Sequence, residues 1–311
     1  MKPVFETKSA TKHRGAVVPM VTPVTEAGQL DEAAVQRLVE NLVEEGLSGI
    51  FVLGTTGEGA FVPEDARRRL VECAAKQING RCLLYAGLGD LSPENFGIAN
   101  DYLRAGADAV VVHPPISKPV PVAELGSWYR ALLDQCQGPV VLYNMPMTTK
   151  VSIPLDAIEQ LLGHPRLVGV KDSENNPARI EELLRRFGGQ PDFSVFIGVG
   201  ALMEKGLRLG ADGIVPSVGN LVPKACENLC TFAQRKDWTG VDREFSRMST
   251  VAALYQKGRT LNESLSVLKA AVHCRGLCGP HVLPPLLPLP AGEIAALRRE
   301  MSRLQLLDGT R

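Results

Sequence analysis

The chain has 311 residues, 45% of them hydrophobic and 22% charged, with 34 basic and 34 acidic side chains and so no formal net charge. That length admits one α/β barrel with an extension or two ordinary domains, and that composition supports a large buried core. The balance of charge excludes the basic stripe of a nucleic-acid binder and the acidic tail of a disordered chain, and no apolar run reaches the roughly 18 residues of a transmembrane helix.

Residues 1–14 are polar, lack the apolar centre of a signal peptide, and read as a loose arm, with a short transit peptide as the alternative. From Gly15 onward strand and helix patterns alternate. Apolar runs that read as strands are Ala16–Val24, Gly49–Gly54, Cys82–Gly87, Ala109–His113, Pro139–Tyr143, Leu167–Lys171, Phe193–Val199 and Gly213–Val218. Between the first two, Asp31-Glu32 opens a helix through Glu45 with Val35, Leu38, Val39 and Leu42 on one face. Pro63-Glu64-Asp65 opens the next, with proline in the first turn and acids matched to the helix dipole, and Ser92-Pro93-Glu94 repeats that start signal. Gly106 and Gly210, each followed by Ala-Asp, read as helix exits. After Ala225 the strand patterns stop. Helical patterns follow near Trp238–Gln256, Asn262–His273 and Gly292–Leu306, the last two joined by the Pro-rich stretch Gly279–Pro285.

Eight near-continuous apolar strands separated by helices predict a parallel sheet covered on all sides. Closed on itself, that sheet is a (β/α)₈ TIM barrel over residues 15–235, with a C-terminal helical extension over 236–311. An open doubly wound sheet would need a glycine-rich fingerprint after the first strand, and Pro19-Met20-Val21-Thr22-Pro23 is not one. Seven scattered cysteines, an odd count, suit free thiols in a reducing cytoplasm. His273, Cys274, Cys278 and His281 have the look of a zinc site, but Cys226/Cys230 and Cys274/Cys278 also fit i, i+4 pairs buried on helices, so no metal is expected.

In such a barrel the chemistry gathers at the C-terminal ends of the strands. The first strand delivers Thr22, the second Gly54-Thr55-Thr56-Gly57-Glu58, the fourth His113, the fifth Tyr143-Asn144, the sixth Lys171-Asp172-Ser173, the seventh Gly198-Val199-Gly200 and the eighth Ser217 to Asn220; the third offers only Gly87. A lysine at the tip of a buried strand is desolvated, which lowers its pKa and leaves an amine that attacks ketones and aldehydes. Gly54 and Gly57 flank two threonines in a turn that exposes backbone N–H groups, a nest for a carboxylate; no phosphate-loop lysine follows it. Taken singly, Lys171 also reads as a salt-bridged strand cap, Tyr143 as a structural side chain and the threonine turn as a plain loop. Only together do they point to chemistry.

Gly54-Thr55-Thr56-Gly57-Glu58, Tyr143-Asn144-x-Pro146 and Gly169-Val170-Lys171-Asp172, in that order, with Gly210-Ala211-Asp212-Gly213 and Asn220 after them, resemble the dihydrodipicolinate synthase / N-acetylneuraminate lyase family from Gly15 to about Leu306. The resemblance implies a class I lyase without metal or other cofactor that forms a lysine Schiff base with pyruvate or another 2-oxo acid. It implies that Lys171 is the Schiff-base lysine and that Tyr143 shuttles protons and orients the substrate carboxylate. Thr55 and Thr56 would bind that carboxylate, with Gly54, Gly57, Val215 and Ser217 completing the substrate-binding set. A cytoplasmic homotetramer is the expected assembly. The chain departs from the family at Thr148, where members that make dihydrodipicolinate carry an arginine, and after His113, where many place a tyrosine contributed by a neighbouring subunit. Losing the arginine removes a bidentate carboxylate clamp; Thr55, Ser217 or water would complete the relay that lacks the tyrosine.

The expected function is therefore a lyase acting on pyruvate or a 2-oxo acid by aldol cleavage, condensation or dehydration, with 2-keto-3-deoxy sugar acids or 4-hydroxy-2-oxo acids as candidate substrates. His113, Lys118 and Lys150 are candidate contacts for the distal part of the substrate. The alternatives are dihydrodipicolinate synthase itself, joining pyruvate to aspartate semialdehyde, and a non-catalytic barrel that binds a 2-oxo acid.

Overall fold

The computed structural model describes residues 12–307; most of the expected 1–14 arm lies outside them. Eight strands run β1 Gly15–Pro19, β2 Gly49–Val52, β3 Leu83–Leu88, β4 Ala109–Val112, β5 Val140–Asn144, β6 Leu167–Asp172, β7 Ser194–Ile197 and β8 Gly213–Ile214. Each is hydrogen-bonded in parallel to the next, and β8 pairs with β1, so the sheet closes as a barrel. The helices between them are α1 Glu32–Glu44, α2 Glu64–Ile78, α3 Ile98–Arg104, α4 Leu125–Gln135, α5 Pro146–Thr149, α6 Leu155–Glu159, α7 Pro177–Phe187, α8 Met203–Arg208 and α9 Pro223–Gln234. Of these α9 already follows the last strand, and three more, α10 Trp238–Gln256, α11 Leu261–Cys274 and α12 Ala291–Arg303, come after it.

Strands β1, β2, β4, β7 and β8 are shorter than their apolar runs, whereas β3, β5 and β6 are not. Pro19 closes β1, and Leu53 turns β2 aside with a left-handed φ of 59°. Side-chain alternation splits each strand between two cores. Val17, Phe51, Tyr85, Val111, Val141, Tyr143 and Phe196 fill the barrel interior, whereas Val18, Ile50, Leu84, Val110, Leu142 and Ile197 pack outward against the helices. That outer layer holds the amphipathic helices in place. In α1, Asp31 caps the first turn by accepting from the Ala34 N–H at 3.0 Å, and Val35, Leu38, Val39 and Leu42 are fully buried.

Two sequence expectations change. Ser92-Pro93-Glu94 does not start a helix: residues 93–97 form turns, with Asn95 accepting from the Ser92 N–H at 2.7 Å, and α3 begins only at Ile98. The local bond competes with the helical one, a habit of short polar side chains. Cys226 and Cys230 do lie buried on α9, but Cys278 falls beyond α11, where its carbonyl accepts from His273 Nδ1 at 2.9 Å. Among the described residues no three His, Cys, Asp or Glu side chains are grouped to hold a metal ion, and no helix is long and apolar enough to cross a membrane.

Helix α11 is buried nearly all round, which sets it apart from a surface helix. A capping box fixes its start: Thr260 and Glu263 exchange hydrogen bonds between side chain and backbone. Its Leu261, Asn262 and Leu265 reach the mouth of the barrel beside the residues of β2, β4 and β5.

Candidate active site

The interior alternation of β5 and β6 puts Tyr143 and Lys171 side by side, as register partners on adjacent strands. Lys171 is only 6% exposed. Its Nζ lies 3.8 Å from the centre of the Tyr143 ring and 4.8 Å from that of Phe51. Burial pulls the Lys171 ammonium below its ordinary pKa, and Tyr143 offsets only part of that loss; among the described residues no carboxylate is paired with it. Burial pushes Tyr143 the other way, but the charge of Lys171 and hydrogen bonding to Thr55 and Ser173 outweigh it and bring the phenol below its usual value. The result is a lysine poised to lose its proton next to a tyrosine eased toward giving one up.

The two groups are held from behind by a polar knot. Asp172 is fully buried; its carboxylate pairs with Arg179 Nε at 2.8 Å and accepts from Asn144 Nδ2 at 2.9 Å and from the Glu174 N–H at 2.9 Å. Asn144 Oδ1 in turn accepts from the Ile153 N–H at 2.9 Å. Burial still raises the Asp172 pKa despite Arg179. These bonds tie the ends of β5 and β6 together and fix the direction in which Tyr143 and Lys171 point.

The turn after β2 approaches from the opposite side. Thr55 Oγ1 and the Tyr143 hydroxyl are 3.2 Å apart, a hydrogen bond in either direction. The turn is bracketed by left-handed backbone at Leu53 (φ 59°) and Glu58 (φ 56°), strain of roughly 1–3 kcal/mol per residue that surrounding contacts must hold. Gly87 makes room for it: a Cβ there would lie 2.3 Å from the Leu53 carbonyl oxygen. Thr22 Oγ1 donates to the Gly57 carbonyl at 2.5 Å. Glu58, 2% exposed, pairs with Lys269 of α11 at 2.6 Å and accepts from the Leu283 N–H at 2.7 Å. Lys269 also donates to the carbonyls of Thr22 at 2.5 Å and His281 at 3.1 Å. One buried ion pair thus pins the threonine turn, β1 and the Pro-rich stretch to a single helix.

Of the predicted residues, Gly54, Thr55 and Tyr143 line one cavity, and Lys171 and Val215 meet in the barrel interior beneath it. Thr56 and Gly57 belong to the same turn but do not line that cavity. Ser217 faces a neighbouring cavity against α10, with its hydroxyl 2.8 Å from that of Tyr255. Gly198 edges that second cavity and stands against the lysine: a Cβ on it would lie 2.1 Å from Ser173 Oγ and 3.1 Å from Lys171 Cε. His113 lines the first cavity, whereas Lys118 and Lys150 are exposed outside it, and Lys150 Nζ donates to the Met147 carbonyl. The Glu58–Lys269 pair and the contribution of α11 to the cavity were not anticipated. Lys269 sits in a helix-period stretch of ordinary appearance, and its partner is 211 positions away, so no local signal marks it.

A closed parallel barrel with a desolvated lysine that has no ion-pair partner among the described residues, beside a tyrosine and a threonine turn, has the arrangement of a class I lyase. The sequence model of the Dihydrodipicolinate synthetase family matches residues 12–304, and the chain belongs to that family. It is 32% identical over 288 residues to the 4-hydroxy-tetrahydrodipicolinate synthase of Xanthomonas campestris, covering 92% of each chain. Its fold superposes on the dihydrodipicolinate synthase of Bacteroides thetaiotaomicron with a TM-score of 0.88 at 30% identity, over 94% of this chain and 98% of that one. It also matches YagE, a prophage protein of the dihydrodipicolinic acid synthase family from E. coli K12 whose structure is a complex with pyruvate, with a TM-score of 0.86 at 26% identity, over 94% and 99% of the two chains. The chain is a class I lyase that forms a lysine Schiff base with pyruvate or another 2-oxo acid.

Proposed function

We propose that Lys171 is the Schiff-base lysine and that this chain joins pyruvate to an aldehyde, or reverses that reaction. The observation that carries this reading is the amine of Lys171: buried, without a carboxylate partner among the described residues, and 3.8 Å from the ring of a tyrosine that hydrogen-bonds Thr55. Lys171 Nζ attacks the ketone carbon of pyruvate, and loss of water gives an iminium. The iminium draws electrons from the methyl carbon, which loses a proton to give an enamine. That carbon then attacks the aldehyde carbon, and the electron pair of the aldehyde C=O moves onto its oxygen, which takes up a proton. Tyr143, with its lowered pKa and its bond to Thr55, carries protons in both directions. Thr55 and Thr56 hold the pyruvate carboxylate, with Gly54 and Gly57 shaping their turn and Val215 beside Lys171 in the barrel interior. Water releases the product from Lys171.

A second reading is 4-hydroxy-tetrahydrodipicolinate synthesis, favoured by the name of the Xanthomonas relative at 32% identity. Under either reading the chain works as a cytoplasmic homotetramer, with residues 15–235 as the catalytic barrel and 236–311 as its helical extension. Sedimentation of the purified protein tests the assembly.

The pKa of Lys171 sets the first test. Only the neutral amine attacks, so the rate of pyruvate adduct formation rises with pH as Lys171 loses its proton. Because burial lowers that pKa, the midpoint is expected below 10.5, the ordinary lysine value. Borohydride quenching at successive pH values reads it directly. A midpoint at or above 10.5 would remove the desolvated amine from the account.

A further inference from the structure

One further titratable side chain reaches the rung of the barrel that carries Tyr143 and Lys171. Strands β3 to β6 are in register there: Leu88 pairs with Val112, Val112 with Leu142, and Tyr143 with Lys171. His113 stands one step past Val112, with its N–H still donating to the Leu88 carbonyl at 3.4 Å, and so falls beside Tyr143. The alternation that turns Ala109 and Val111 inward turns His113 inward too. Its ring meets that of Tyr143 edge to face, with centres 6.2 Å apart, and both line the cavity at the barrel mouth. On its other side the step past β3 is Gly89, where a Cβ would lie 2.2 Å from His113 Nε2, so the missing side chain is what admits the imidazole. Asp90 accepts from the Ile116 and Ser117 N–H groups at 2.6 and 2.7 Å and fastens the loop that follows His113. His113 Nδ1–H donates to the Pro114 carbonyl at 2.7 Å, which leaves Nε2 as the acceptor of the neutral ring. Nε2 makes no hydrogen bond among the described residues and keeps accessible surface on a half-buried side chain. Burial, helped by the charge of Lys171, holds the His113 pKa below its ordinary value against the Pro114 bond and the charge of Asp90. Among the described residues the one charged side chain lining the cavity is Glu58, which Lys269 neutralises at 2.6 Å.

A proton that Tyr143 takes from a substrate carbon must be carried away, or it returns to the atom it left. We infer that His113 is the outer end of a proton relay, exchanging protons with the Tyr143 hydroxyl through one water in their shared cavity and with solvent at Nε2. Nε2 takes the Tyr143 proton through that water, giving an imidazolium and a phenolate. The phenolate takes a proton from the methyl carbon of the pyruvate iminium. The C–H electron pair becomes the enamine double bond, and the iminium electrons settle on nitrogen. The imidazolium then releases its proton to solvent. When the enamine is protonated the same transfers run backwards, and no oxidant, reductant or other reactant enters. A neutral imidazole is suited to this work near pH 7, where it can both accept and release a proton. His113 acts through Tyr143 and does not touch the reacting carbon. This inference rests on the Schiff-base reading of Lys171 and deepens it.

The test needs pyruvate alone. Loss of its methyl protons to D₂O is followed by NMR and expressed per borohydride-trapped adduct, so that a misfolded fraction does not count. The wild-type enzyme is expected to exchange these protons at a rate that rises with pH through a midpoint below 6.5, the ordinary histidine value, because only the neutral Nε2 accepts a proton. His113→Gln is expected to slow exchange about 100-fold, the low end of what a positioned proton carrier contributes, and to lose that acidic limb. Added imidazole should restore exchange to His113→Ala. Gly89→Ala keeps the histidine but displaces its ring, and should slow exchange as well. Undiminished exchange in His113→Gln overturns the inference. So does slowed exchange that keeps the limb below 6.5 and ignores imidazole, since His113 would then only shape the cavity wall. Adduct trapping without methyl exchange in the wild type also overturns it and leaves the Schiff-base reading standing. Failure of the trapping itself counts against that earlier reading instead.

Discussion

Replacing Lys171 by alanine is expected to reduce condensation by at least about 10⁴-fold, equivalent to roughly 5 kcal/mol of transition-state stabilisation. The protein should still fold. The lysine makes no ion pair among the described residues, so its removal leaves no opposite charge stranded in the barrel. Lys171→Arg should be equally inactive, since the guanidinium stays protonated and is no nucleophile at any working pH. Circular dichroism alongside the rate assay separates lost chemistry from lost fold. A Lys171→Ala enzyme that keeps more than about a tenth of wild-type activity would mean that the Schiff base forms elsewhere.

Lys269→Met is expected to have the largest effect on stability. The substitution removes the cation from a pair in which both side chains are about 1% exposed and leaves Glu58 buried without its partner. Breaking such a pair from one side costs about 3–5 kcal/mol. For a chain of this size that corresponds to a fall in Tm of roughly 5–8 °C. Glu58→Gln combined with Lys269→Met should recover more than half of the loss, because glutamine keeps an acceptor for the Leu283 N–H and removes the stranded charge. The single substitution should also raise the KM for pyruvate. Glu58 closes the turn that carries Thr55, and Lys269 grips the Thr22 carbonyl beside it. Thermal unfolding of the two single variants and the double variant measures the coupling; equal stability of all four proteins would mean that the pair does not hold the turn.

Lys171 was legible in the sequence because a charged residue at the end of Leu167–Val170 contradicts its apolar surroundings, and that contradiction has a chemical meaning. The barrel was legible because eight apolar runs repeat at helix-separated intervals. Strand ends were less so. Hydrophobicity continues past Pro19 and Val52, while the backbone turns away at a residue without an N–H to donate and at a left-handed leucine. Gly87 looked chemically empty, yet its missing side chain is what admits the Leu53 carbonyl. The Glu58–Lys269 pair depends on segments brought together only by closure of the barrel and the return of α11 across its mouth. Periodicity carries no record of such meetings.

The central claim is that pyruvate becomes covalently attached to Lys171. Incubation with pyruvate, reduction with borohydride, and intact and peptide mass spectrometry test it most directly. The expected result is one reduced pyruvyl adduct per chain, on the peptide containing Lys171, absent from Lys171→Ala and from samples without pyruvate. An adduct on another lysine, or none with pyruvate or longer 2-oxo acids, would contradict the account and bring the non-catalytic 2-oxo-acid-binding barrel to the front.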